Sequence, residues 1–357
     1  MIPLFLAPLL GLALAGQSQP PVPAAPAAPV STPAAREALM NAIGHALQGD
    51  VGPALETLRT VPAADFAGPA ATVRACMLDR FGASAADPPA AANLSPATAS
   101  MLEIYRAYWR RALLNPAARA AEEERLRHDL AASLGAPPAT TMTEIESRLT
   151  ARFEAEGLHV LIGVTPPLRE LMLWRSQTSE MRQVALPEGV HATRVVMLDD
   201  FASFGWLGFA TCERNYSGGW VRPDGIYAVR PGWNDLGDES FLVSFLGHES
   251  QHFADKENYG ELAGWELEYR AKLTELALAD RTQARLLDAF AHNQGDDTAI
   301  PHSYANKRVL AALRRRLGLA ADASFAGVAP DAIRAAAAAE LRADSARRTP
   351  VARRPSG

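Results

Sequence analysis

Two histidines four residues apart, His248 and His252, constrain the fold of this 357-residue chain more than any other feature. They lie in FLVSFLGHESQHFAD (241–255), which reads as helix. Four residues advance an α-helix by slightly more than one turn, so both imidazoles leave one face and can grip one tetrahedral ion. Glu249 sits about 100° around the helix and reaches the open side of that ion, where a carboxylate can take a proton from metal-activated water. Phe241, Leu242, Phe245 and Leu246 are predicted to anchor the helix by burial, and Gly247 permits close backbone approach. The competing reading of H-E-S-Q-H is a charged helical turn that binds no metal.

Two imidazoles leave an ion short of ligands, so the third must come from nearby. Residues 261–280, ELAGWELEYRAKLTELALAD, are strongly helical and offer Glu261, Glu266, Glu268 and Glu275. On a helical wheel Glu268 lies between two apolar flanks, Leu262/Trp265/Tyr269/Leu273/Leu276 and Leu267/Ala271/Leu278. A carboxylate facing inward there needs a cation. Glu266 points roughly 160° away, and Glu261 and Glu275 share the direction of Glu268 but lie about 10 Å along the axis. Only one of the three can meet the ion, and Glu268 is the expected ligand.

H-E-x-x-H followed by a second helix bearing Glu268-Tyr269-Arg270-Ala271 resembles the gluzincin group of zinc metallopeptidases. The resemblance covers about a third of the chain, chiefly residues 190–310. It implies that His248, His252 and Glu268 bind zinc (Zn2+), that Glu249 is general base and proton shuttle, and that an upstream edge strand pairs with an extended peptide substrate. Gly225–Val229 is expected to be that strand. Two features depart from the family. Many gluzincins carry an acid four residues after the glutamate ligand to orient a metal histidine, and Lys272 stands there instead. Asp255 is either a substitute for that acid or a helix-surface carboxylate. The metzincin pattern fails, because Asp255 and Asn258 occupy the positions where it requires Gly and His. Peptide hydrolysis also needs an oxyanion donor. His302 and Tyr304 follow the zinc helices where some gluzincins keep one; His292 is a weaker competitor, and Tyr216 and Tyr227 could also face the cleft.

Elsewhere the sequence predicts organisation rather than chemistry. Residues 1–16 (MIPLFLAPLLGLALAG) fit a secretory signal, although no Lys or Arg precedes the apolar run. The Pro/Ala tract over 17–35 is expected to be a semi-rigid linker. Residues 36–183 read as a helical accessory domain, with helices at Val73–Phe81, Ala99–Leu114, Ala117–Leu134 and Met142–Glu156. A zincin-like domain with a short sheet and two zinc-bearing helices follows over 184–320, with a β-branched strand at Val190–Leu198 and helix N-caps in Asn234–Ser240. An Ala-rich helix and a basic, disordered tail carrying Arg347, Arg348, Arg353 and Arg354 complete the chain over 321–357.

The whole is expected to be α+β and mostly helical. A net charge of −5 argues against a nucleic-acid protein, and past the N-terminus no run approaches the roughly 20 apolar residues of a spanning helix. Two cysteines, Cys76 and Cys212, are too few for a disulfide framework or a four-thiolate zinc site; they either pair in an oxidising compartment or are two buried thiols. The function expected from the sequence is an exported, periplasmic or secreted, zinc-dependent peptidase acting on a peptide or protein. The alternative is a zinc-stabilised binding protein of the cell envelope without turnover. A third possibility is a metal-free helical envelope protein.

Overall fold

The computed structural model describes residues 30–82 and 93–351, so the expected signal segment and most of the Pro/Ala tract lie outside it. The described chain is a mixed α+β structure dominated by helix. Six helices come first: α1 (Pro33–Leu47), α2 (Gly52–Thr60), α3 (Gly68–Arg80), α4 (Pro96–Leu114), α5 (Arg119–Ser133) and α6 (Met142–Ala155). Their starts follow the capping chemistry of the sequence. Thr32 and Ser95 accept hydrogen bonds from the third residue beyond, each followed by Pro, and Thr141 forms a capping box with Glu144.

Helix does not continue to residue 183 as expected. β1 (His159–Thr165) and β2 (Leu168–Leu186) occupy that stretch, so the boundary expected at 183/184 falls inside β2. Glu170, Met172, Met181 and Gln183 have helical preference, but pairing with β1 over Leu168–Trp174 and unbroken pairing from Ser176↔Asp199 to Leu186↔Gly189 with β3 (Gly189–Phe204) override it. The helical region is not closed on itself either. Trp109, Tyr105 and Phe153 share a core with Leu171 and Leu173 of β2 and with Trp206 and Phe209 of α7 (Gly205–Ala210). A disulfide joins Cys76 of α3 to Cys212 just beyond α7.

β4 (Gly219–Arg222) and β5 (Gly225–Val229) complete a five-stranded sheet of order β1-β2-β3-β5-β4. β3 and β5 run parallel and the other neighbours antiparallel. Gly225–Val229 is therefore an interior strand, buried throughout; the edge strands are β4 beside it and β1 at the far side. Four residues containing Gly and Trp carry too little alternation to announce a strand.

Behind the sheet lie α8 (Glu239–Phe241), capped by Asp238 as expected, a π-helical segment (Leu242–Gly247), α9 (His248–Tyr259) and α10 (Gly264–Leu278). α11 (Gln283–His292), α12 (Pro301–Leu317) and α13 (Pro330–Ala346) follow. α13 is structural: Ile333, Ala337 and Leu341 share a core with Leu273 and Leu276 of α10 and with Leu310 and Leu313 of α12. The tail expected to be disordered is ordered at its start. Arg347 and Arg348 pair with Glu340, Asp344 and Glu266, and the Val351 N–H donates to the Asn258 carbonyl. Arg353 and Arg354 lie outside the described residues. No described helix is long and apolar enough to cross a membrane.

One buried acid in the sheet has a measurable consequence. Glu170 is 3% exposed and accepts the backbone N–H groups of Leu171 and Trp206 at 3.0 and 3.1 Å. Gly205 (φ +76°) lets the carboxylate this close, since a Cβ there would lie 1.9 Å from its oxygen. Burial outweighs those bonds and pushes its pKa from 4.5 up to about 7. The folded protein then keeps a proton that the unfolded chain has lost, so this group makes stability fall as pH rises from 4.5 to 7. The gap corresponds to about 3 kcal/mol. Glu170→Gln retains the acceptor oxygen and is expected to match wild type near pH 5 yet exceed it at pH 8, as read by urea midpoints; equal midpoints at pH 8 would refute this.

Candidate metal centre

The helix bearing the two histidines is fixed before its side chains are considered. Phe241, Phe245 and Leu246 are buried against Val195 of β3 and Ile226 of β5, whereas Leu242, expected to join them, is turned outward. The π-helical turn immediately before His248 accommodates this, and such turns recur at functional sites. Gly247 lies against both its own helix and α10: a Cβ there would stand 3.2 Å from the Leu242 carbonyl and 3.6 Å from the Leu278 side chain. Further along, Thr193 of β3 donates to Ser250, Thr274 of α10 donates to Gln251, and Gln251 donates to Asp255. Sheet and helices thus hold α9 from two sides.

On the face so presented, His248 Nε2 and His252 Nε2 stand 3.2 Å apart. Glu268 of α10 approaches both, with 3.4 Å between His252 Nε2 and Oε1 and 3.6 Å between His248 Nε2 and Oε2. The sequence-predicted trio therefore converges. Ligand atoms around a tetrahedral zinc with bonds of about 2.0–2.1 Å lie about 3.3 Å from one another, so these separations suit one ion. The donor set suits it too, two imidazole nitrogens and a carboxylate oxygen being ordinary zinc ligands. Ligand atoms of His248, Glu249 and His252 also lie within 4.8 Å of one another, which puts the Glu249 carboxylate beside the imidazoles. Among the described residues no hydrogen bond or ion pair occupies it.

Glu275, set aside by the sequence reading as a rejected ligand, holds His248 from behind: His248 Nδ1 and Glu275 Oε1 are 2.7 Å apart. A carboxylate on Nδ1 fixes the ring and directs Nε2 to a metal. Glu275 lies seven residues after Glu268, two helical turns on the same face, which puts it in the right direction without saying that it reaches His248. These charges interlock. Burial opposes charge on His248, but Glu275 and Glu268 outweigh it and push its pKa up to about 10. Burial likewise opposes charge on Glu268, and its imidazole neighbours hold its carboxyl far below the usual range.

The other candidates divide. His302 Nδ1 lies 2.8 Å from Glu268 Oε2, with the side chain 64% exposed, so His302 joins the cluster by way of the glutamate. Tyr304 does not join it: its ring packs edge-on against Trp265, and its hydroxyl accepts a 3.4 Å hydrogen bond from Arg308. His292 is bonded to its own helix, at the Asp288 carbonyl. Tyr216 stacks on Phe204, and Tyr227 stacks on Trp220 and donates to Asp224. Asp255 is neither a surface acid nor an imidazole partner; it is fully buried beside Arg270, 2.8 Å from Nε. A cavity of about 380 Å3 lies along a different face of α9, lined by Gln251, Ala254 and Asn258 with Leu186 and Glu188–Ala192, and neither His248 nor His252 borders it. In comparisons with known proteins, the chain matches no family model, no curated protein and no solved structure.

Proposed function

We propose that this chain is an exported zinc-dependent peptidase whose zincin-like region carries the gluzincin arrangement. The observation that carries the reading is the convergence of His248 Nε2, His252 Nε2 and the Glu268 carboxylate at 3.2–3.6 Å, with the unengaged Glu249 beside them. His248, His252 and Glu268 would hold the ion, and Glu275 would orient the first of them. Zinc held there supplies Lewis acidity towards a scissile carbonyl and lowers the pKa of a water molecule towards about 7.

The remaining steps belong to the protein. Glu249 takes a proton from the attacking water and returns it to the amide nitrogen as the C–N bond breaks, leaving a carboxylic acid and an amine. His302, exposed beside Glu268, is the proposed donor to the carbonyl oxygen. The substrate strand would lie along β4, whose outer edge has no partner among the described strands and whose Gly219 abuts Phe245 of the π-helical turn. The Cys76–Cys212 disulfide supports the exported location, because such bonds persist in oxidising compartments.

Metal content tests the reading. Purified protein is expected to carry about one zinc per chain by elemental analysis, with His248→Ala and Glu268→Ala losing it. Glu275→Ala, which removes an orienting group and not a ligand, is expected to weaken affinity by about 10- to 100-fold. Protein that takes up no zinc, or loses no affinity in Glu268→Ala, would reject the proposal.

A further inference from the structure

Lys272 occupies the position after the Glu268 ligand at which related sites carry an acid, and it is nearly buried, with 7% of its surface exposed. Its ammonium lies 3.7 Å from Glu268 Oε2 and 4.9 Å from the centre of the Phe290 ring. Among the described residues Glu268 is the only carboxylate within ion-pairing distance of it. Burying an ammonium is costly unless an anion compensates it, so the metal-free fold spends the charge of Glu268 on Lys272 and on the imidazoles. A divalent ion must share that same carboxylate with a fixed positive charge.

We propose that Lys272 is a built-in competitor for the metal: its charge helps to balance that of Glu268 in the absence of zinc and weakens zinc binding when the ion is present. The inference rests on the metal-site reading above but concerns a residue outside the ligand set. Both halves of the argument have the same sign. Removing the ammonium leaves the metal-free protein with an under-compensated carboxylate, and it relieves repulsion in the zinc-bound protein. Each change favours binding. A unit charge within about 4 Å of a ligand atom in a poorly hydrated site is enough to change the affinity for a divalent ion more than tenfold. The arrangement would give a fold that stands without zinc and a site that exchanges it.

The test uses the full chain, stripped with a chelator and titrated with zinc against a competing chromophoric chelator. Lys272→Met keeps length and the packing on Phe290; Lys272→Arg keeps the charge. Zinc is expected to bind Lys272→Met at least about tenfold more tightly than wild type, and Lys272→Arg within about threefold of wild type. Thermal unfolding gives an independent readout: Lys272→Met is expected to melt below wild type in chelator and to gain more from saturating zinc. Should that variant fail to fold metal-free, Lys272→Gln makes the same comparison. Equal or weaker zinc binding in Lys272→Met, with wild type binding normally, overturns this inference alone; equal tightening in Lys272→Arg assigns the effect to packing and also overturns it. Absence of zinc binding in every form overturns the metal reading and this inference together.

Discussion

Glu249→Gln is expected to retain about one zinc per chain while slowing peptide hydrolysis by about a thousandfold, the scale of positioned general acid–base catalysis. The amide matches the carboxylate in shape, so the helix and its histidines should be undisturbed. His248 and His252 leave the helix face next to Glu249, and neither depends on it for a hydrogen bond: His248 is held by Glu275, and its Nε2 faces that of His252. In the proposed mechanism, what the substitution removes is the ability to accept a proton from water and hand it to the leaving nitrogen. Metal content and turnover should therefore separate. A variant that cleaves a peptide library as fast as wild type would remove Glu249 from the mechanism, and one that loses zinc would make it a ligand. Wild-type protein that holds zinc and cleaves nothing would favour the zinc-stabilised binding protein.

The convergence of His248, His252 and Glu268 was legible because it follows from a helical repeat on each of two helices. The partner of His248 Nδ1 was not. Two turns separate Glu275 from Glu268, and whether both can serve one histidine pair depends on how α10 crosses α9, which no periodicity within one helix reports. The same limit hid the fate of Asp255, whose neighbour Arg270 belongs to another helix. Sheet order was equally silent. The alternation in Gly225–Val229 marks a strand, but that it lies inside the sheet with β4 at the edge depends on pairing with Val195–Leu198, some thirty residues earlier. β2 differs for another reason: its Glu, Met and Gln residues favour helix locally, and only pairing with β1 at its start and with β3 along the rest makes it a strand.

Arg270→Met is expected to destabilise the protein by about 3–5 kcal/mol, the range for stripping one partner from a buried ion pair. Arg270 is 1% exposed, and its three guanidinium nitrogens face acids from three different elements. Nε lies 2.8 Å from Asp255 of α9, Nη1 2.9 Å from Asp344 of α13, and Nη2 3.0 Å from Glu188 in the β2–β3 turn. The guanidinium also stacks over Tyr259. Methionine fills much of the volume but neutralises none of the acids. Asp344 keeps Arg347 and Arg348, and Glu188 keeps Ser345, so Asp255 bears most of the loss. Burial already raises the Asp255 pKa despite Arg270, and removing the cation raises it further. A carboxyl with a raised folded-state pKa costs stability as pH rises, so the deficit of Arg270→Met should be smaller at pH 5 than at pH 8. Adding Asp255→Asn should recover part of it, giving a coupling energy in a double-mutant cycle. A deficit below about 1 kcal/mol, or one independent of pH, would mean that the network is dispensable. The proposed metal site should register the change too, because Asp255 stands three residues after His252 and Arg270 two after Glu268. Loosening that joint frees α9 to shift against α10, and zinc affinity should fall even though none of the proposed ligands has been touched.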